Sequence, residues 1–220
     1  MRKNASVVAK ASRAAVNMGA ARWRGWAALI ALVAWSGLIL QFALVVERVG
    51  SVELAVWRLS LFFTIFSNLA VAVIYGAIAL GAVRLRHPLL IAGLALTMAL
   101  VGAVFELMLR PLLHLSGWRL VTNALLHDAV PLLCAAAWLV LAEKGRLRAR
   151  DPWLIAIFPV AYLGYALVRG GLTGIYPYPF LDGPRIGWGV VSLYVIGLSA
   201  AFLVFGHLMV MLDRRLARRR

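Results

Sequence analysis

A hydroxyl, an imidazole and a few amides stand in a sequence otherwise built of hydrocarbon. Thr64 follows Phe62-Phe63, and Asn68 comes one helical turn later. His127 lies between Leu126 and Asp128, with Asn123 one turn before it. Threonine and histidine are groups that pass protons, and histidine titrates near neutrality when unperturbed. Further polar groups are Glu106 and Arg110, one turn apart, and Tyr162, Tyr165 and Arg169 within one apolar run. Tyr176, Tyr178 and Asp182 lie in the run Gly174–Asp182. Polar groups are costly in a membrane, so their positions carry the most information. Each also has a plainer reading. A membrane threonine most often bonds its own i−4 carbonyl. Glu106 with Arg110 reads as a structural ion pair near the interface. The Tyr-Pro-Tyr-Pro run reads as a rigid loop with interfacial aromatics.

Other chemistries find little support. His114, His127 and Glu106 could converge, but no helix carries the paired ligand spacing of a zinc or di-iron site. Neither a metal nor a cofactor is expected. The chain has no phosphate loop, dinucleotide fingerprint or Gly-x-Ser-x-Gly elbow. Its single cysteine, Cys134, cannot form an intrachain disulfide and reads as a small buried hydrophobe.

The elements that must carry these residues are membrane helices. The 220 residues are 64% hydrophobic and 14% charged, with a mean hydropathy of +0.90. A soluble domain is nearer half apolar and a quarter charged. Six apolar runs follow one another, at 26–46, 57–81, 88–109, 118–141, 152–169 and 187–212. Each is about the ~20 residues a spanning helix needs. Pro131 and Pro159 predict kinks in the fourth and fifth. Ala92, Ala95, Ala99 and Ala103 make a small-residue stripe suited to close helix contact on the third.

Lys and Arg are divided unevenly between the two sides, 17 against 6. The positive-inside rule then puts both termini in the cytoplasm, which requires an even number of spans. The basic excess thus reflects topology rather than nucleic-acid binding. The expected fold is all-α integral membrane, a bundle of six transmembrane helices occupying 25–213. A basic cytoplasmic segment, 1–24, precedes it, and a basic tail, 214–220, follows. In the first segment Val7, Val8, Ala11, Ala14, Ala15 and Met18 could share one helical face. That fits a helix lying on anionic lipid headgroups at the cytoplasmic face, or a simple basic tail.

In this topology the second, fourth and sixth helices run inward. Thr64 then lies roughly 10 Å below the outer end of its helix, and His127 roughly 14 Å below the end of its own. Two helices thus bring a hydroxyl and an imidazole to one level. The inner half is poorer in polar groups, apart from His207 near the inner end. The sequence predicts a polar chamber opening towards the outer leaflet.

Certain motifs carry a resemblance. These are Trp57-Arg58 with Phe62-Phe63-Thr64-Ile65-Phe66-Ser67-Asn68-Leu69, then Glu106-Leu107-Met108-Leu109-Arg110-Pro111. Leu125-Leu126-His127-Asp128-Ala129-Val130-Pro131-Leu132 and the Tyr-Pro-Tyr-Pro-Phe-Leu-Asp loop ending at Asp182 complete the set. With them the chain, from about residue 25 onward, resembles the bacterial six-pass relatives of the androgen-induced membrane-protein family. The animal members are intramembrane threonine hydrolases that cleave fatty acid esters of hydroxy fatty acids. The resemblance implies Thr64 as nucleophile and His127 as general base in a bacterial cytoplasmic membrane. A threonine hydroxyl is a weak nucleophile and needs such a base. The oxyanion would need donors, for which Asn68, Asn123, Tyr162, Tyr165 and Arg169 are candidates. The implied partner is a membrane lipid or fatty acid ester entering from the outer leaflet.

Two other functions remain open on the residues alone. A small-solute or proton transporter would need a polar path through to the cytoplasmic side. A non-catalytic lipid-binding protein would keep a cavity but tolerate loss of Thr64.

Overall fold

A computed structural model describes residues 2–218, with side chains from residue 18 onward. The face formed by residues 7–15, and Arg219 and Arg220 of the tail, lie outside the described side chains. Among the described residues every regular element is helical. In chain order these are α1 (Arg2–Val49), α2 (Val52–Leu59), α3 (Phe63–Ala79), α4 (Pro88–Val104), α5 (Gly117–Asn123), α6 (Val130–Leu141), α7 (Asp151–Thr173), α8 (Gly183–Ile186) and α9 (Trp188–Ala217). A π turn (Phe105–Leu109) and a 3₁₀ turn (Arg110–Leu112) extend α4, and a π segment (Ala124–Ala129) joins α5 to α6.

Five stretches are long and apolar enough to cross a membrane: Met18–Val49, Pro88–Leu112, Gly117–Leu141, Asp151–Thr173 and Trp188–Ala217. A sixth exists if α2 and α3, bent by 97° at their junction, count as one span. The chain is a multi-pass helical membrane protein. α1 continues unbroken across residues 24 and 25. The main core joins α1, α3, α4 and α6 through residues such as Ile30, Val71, Tyr75, Met98 and Val130. α7 and α9 flank it, with a smaller core around Ala166, Phe180, Leu181 and Val191. Of the alanine stripe on α4, Ala92 and Ala95 are buried, whereas Ala99 and Ala103 are exposed. Close approach is made instead at Gly102, where an added Cβ would stand 3.0 Å from the His127 carbonyl oxygen.

The run 57–81 is not one straight helix. It breaks after Leu59 and restarts at Phe63. A break in apolar surroundings frees backbone groups that must find partners. α7 supplies most of them from one face, at spacings of three and four residues. Tyr162 donates to the Leu61 carbonyl at 2.7 Å and Tyr165 to that of Ser60 at 2.9 Å. Arg169 donates to the Trp57 carbonyl and to Ser60 Oγ, and its guanidinium lies 3.7 Å from the Trp57 ring centre. The Phe63 amide donates to the Tyr178 phenol at 3.1 Å. No proline or glycine marks this bend in the sequence. It is fixed by side chains about a hundred residues away. Replacing Arg169 by leucine removes its bonds to the Trp57 carbonyl and Ser60 Oγ and should cost about 1.5–3 kcal/mol, the range for hydrogen bonds to a charged group. The midpoint of unfolding in detergent should fall accordingly. An unchanged midpoint would mean the bend holds without Arg169.

The two prolines act differently. α7 continues through Pro159 from Asp151 to Thr173. Pro131 lacks the N–H that would bond the carbonyl four residues back, which is that of His127. The chain opens into the π segment at that place. The expected irregularity at Pro131 is therefore present, as a wider turn that carries the histidine.

Candidate functional site

Thr64 is the second residue of α3, on the turn that restarts after the bend. At this position the helix offers no i−4 carbonyl, since the chain at Ser60 lies outside it. The Thr64 hydroxyl lies instead 3.2 Å from His127 Nε2. The depth reckoned for Thr64 on an unbroken helix does not apply, because α2 lies across the direction of α3. The two side chains nevertheless meet, one from a helix start and one from a π segment. A π segment inside a helix is an irregularity of the kind found at functional sites.

Several groups hold the pair. Both amide protons of Asn68 are used on backbone, on the Thr64 carbonyl at 2.9 Å and the Leu126 carbonyl at 3.3 Å. Asn68 thereby ties the two segments that carry the dyad. Its amide is not left to serve as an oxyanion donor, and its oxygen is buried without a partner. The His127 ring stacks on Phe105, with centroids 3.8 Å apart and planes at 20°. Its Nδ1 is buried and makes no well-formed hydrogen bond; the nearby acceptor is the Asn123 carbonyl, one turn back. A proton on Nδ1 leaves Nε2 with a lone pair for the threonine hydroxyl.

Arg110 donates through Nε to Glu106 at 2.8 Å and through Nη2 to both Asp128 oxygens at 2.9 Å. Its guanidinium carbon also lies 5.3 Å from the Phe105 ring centre. Arg110, Phe105 and His127 thus cluster together, and the Arg110–Asp128 pair joins the 3₁₀ turn after α4 to the π segment of His127. The pairing of Glu106 with Arg110 was legible in the sequence, but the link to Asp128 was not.

Glycines let this packing close. Besides Gly102, a Cβ at Gly37 of α1 would meet Leu126 Cδ2 at 2.6 Å. Gly102→Ala should push the His127 carbonyl rather than a flexible side chain. The expected result is about 1–3 kcal/mol lost from overpacking and a displaced imidazole. Histidine ring signals in an NMR spectrum of the labelled protein would report the shift; unchanged signals would show that the π segment absorbs the methyl.

Thr64 also lines an apolar cavity of about 370 Å³ enclosed by α4, α7, α9 and the loop at Tyr178–Leu181. The α7 face runs from Trp153 through Ala156 and Val160 to Leu163. At ~1.5 Å per residue that is roughly 15 Å of helix. Trp153, Tyr162, Tyr178 and Ser199 are the other lining residues that carry a polar side-chain atom. Ile157 and Val160 of its lining are exposed on the bundle surface, so the cavity opens sideways.

The remaining sequence candidates stand elsewhere. Asn123 donates to the Arg119 carbonyl of its own helix at 2.8 Å. Tyr165 and Arg169 serve the bend, and Tyr162 serves the bend while its ring lines the cavity. Among the described residues no three His, Cys, Asp or Glu side chains form a metal-binding group. Sequence reasoning missed Phe105, and it placed Tyr178 in a rigid loop. The phenol of Tyr178 in fact reaches the first turn of α3 and lies beside the Thr64 hydroxyl and amide and the Tyr162 phenol. Burial pushes Tyr178 above the ordinary tyrosine range, which keeps the phenol protonated.

Fold and site together define a polytopic membrane protein with a threonine–histidine contact on the wall of an apolar cavity. No family model, curated protein or solved structure matches the chain.

Proposed function

We propose that the protein is an intramembrane lipid-ester hydrolase in which Thr64 is the nucleophile and His127 the general base. The observation that carries this is the 3.2 Å contact between Thr64 Oγ1 and His127 Nε2 beside a cavity fit for hydrocarbon. As Oγ1 bonds to the ester carbonyl carbon, its proton passes to Nε2. The carbonyl π pair moves onto oxygen. When that pair returns, the bond to the leaving alkoxide breaks, and the alkoxide takes the proton from Nε2. An acyl-threonine remains. Water, deprotonated by the same imidazole, releases the fatty acid and restores the hydroxyl.

The substrate class follows from the walls. One acyl chain lies in the α4–α7–α9 cavity with its carbonyl at Thr64, having entered through the sideways opening. Fatty acid esters of hydroxy fatty acids, the substrates implied by the resemblance to the androgen-induced family, fit this description. The bundle has six spans with both termini cytoplasmic, counting α2 and α3 as one. The site then lies in the outer half of a bacterial cytoplasmic membrane. Basic residues such as Arg84, Arg148 and Arg214 face anionic headgroups on the other side.

Purified protein in detergent, offered a panel of lipid esters differing in chain length, should release fatty acid. Transport is the competing reading. It is favoured if the protein is inert across the panel but moves a small solute or protons in proteoliposomes. The cavity speaks against transport, since its wall is almost wholly apolar and carries no charged group.

A further inference from the structure

The dyad leaves one part of the reaction without an agent, because the negative charge developing on the carbonyl oxygen must be met by donors already in place. The side chains first considered are engaged. Asn68 spends both amide protons on backbone, and Asn123 bonds its own helix. Tyr162 and Tyr165 donate to the Leu61 and Ser60 carbonyls. Arg169 is bound to Trp57, Ser60 and Tyr165.

Tyr178 is placed otherwise. Its phenolic oxygen accepts the Phe63 amide at 3.1 Å and lies next to the Thr64 amide and hydroxyl. Its ring lines the same cavity as Thr64. The amides at the start of α3 are at the positive end of a 17-residue helix. A phenol that accepts from such amides becomes a better donor through its own proton. The loop that carries it is anchored: Tyr178 stacks on Phe180 with centroids 5.1 Å apart, and Phe180 and Leu181 are buried.

We propose that Tyr178, backed by the first-turn amides of α3, stabilises the oxyanion formed at Thr64. This rests on the hydrolase reading above. The phenol donates a hydrogen bond and keeps its proton. The oxygen that gains the electron pair accepts the hydrogen bond of the Tyr178 hydroxyl beside the first turn of α3.

The test compares wild type with Tyr178→Phe. Hydrolysis of a long-chain ester gives kcat and KM, and a long-chain trifluoromethyl ketone serves as a tetrahedral-state mimic. Displacement of a fluorescent fatty acid reports the cavity alone. The expected result is a fall in kcat of about 10²–10³-fold with KM nearly unchanged, the loss typical of one oxyanion donor. Ketone affinity should fall by a similar factor, and fatty acid affinity should stay. Fatty acid binding lost in parallel with kcat would assign Tyr178 a structural role and overturn the proposal. So would unchanged kcat and ketone affinity in an active enzyme. A wild type that binds fatty acid but hydrolyses no ester would overturn the hydrolase reading itself. If Tyr178→Phe does not fold, 3,5-difluorotyrosine at position 178 replaces it. A more acidic phenol that keeps its proton should then change kcat and ketone affinity together while fatty acid affinity stays. Unchanged kcat and ketone affinity would refute the assignment.

Discussion

Thr64→Ala should abolish ester hydrolysis, with kcat falling by roughly 10³–10⁶-fold, the range seen when a member of a nucleophile–base set is removed. The reason is specific to this site. The variant removes the hydroxyl oxygen that stands 3.2 Å from His127 Nε2, and removes little else. The Asn68 bond runs to the Thr64 carbonyl rather than to its side chain, so the link between the two segments survives. The protein should therefore fold, bind fatty acid and fail in chemistry. His127→Ala should fall by a similar factor but with more structural cost, because it also removes the ring stacked on Phe105. The double variant should be scarcely worse than either single one, since the two groups act as a unit. Initial rates with a saturating ester would measure all three. Additive losses would mean that Thr64 and His127 do not share a step.

The second large effect concerns the cavity. Ala156→Phe places a ring on the α7 wall about two turns from Leu163, in the space assigned to the acyl chain. Long-chain esters should lose about 10²-fold in kcat/KM, while short-chain esters reach Thr64 as before. The magnitude, about 2.7 kcal/mol, corresponds to one or two buried methylene groups that no longer fit, at about 1–3 kcal/mol each. A chain-length series on both proteins would show the cut-off moving to shorter chains. A uniform loss at every length would instead mean that the ring has disturbed the bundle. An unchanged profile would place the acyl chain outside this cavity.

The sequence was informative where local physics decides. Apolar runs of about twenty residues marked the spans, and the ends of the fourth run agree closely with Gly117–Leu141. Pro131 announced an irregularity, since a missing amide must disturb the turn carrying His127. The pairing of Glu106 with Arg110 needed only helical spacing. What sequence could not give depends on partners far along the chain. The α2–α3 bend has no local breaker and exists because Tyr162, Tyr165 and Arg169 of α7 take its freed carbonyls. Read alone, those three side chains look available for substrate. Asn68 looked free for the same reason, until the Leu126 carbonyl appeared beside it. Tyr178 is the converse case. Its loop reads as interfacial, but the fold carries its phenol to the first turn of α3.

These placements also separate residues by expected phenotype. Changes at Arg169 or Tyr165 should reduce stability and activity together. Changes at Thr64 should reduce activity alone. Glycines at 37 and 102 belong with the first group, since they let α1 and α4 approach the π segment.

The most direct test of the central claim is peptide mass spectrometry after treating the protein with a long-chain fluorophosphonate. The hydrolase account predicts a single phosphonyl adduct on Thr64. It should be absent from Thr64→Ala, slowed in His127→Ala and prevented by prior addition of fatty acid. An adduct on another residue, or ester hydrolysis that continues in Thr64→Ala, would contradict it.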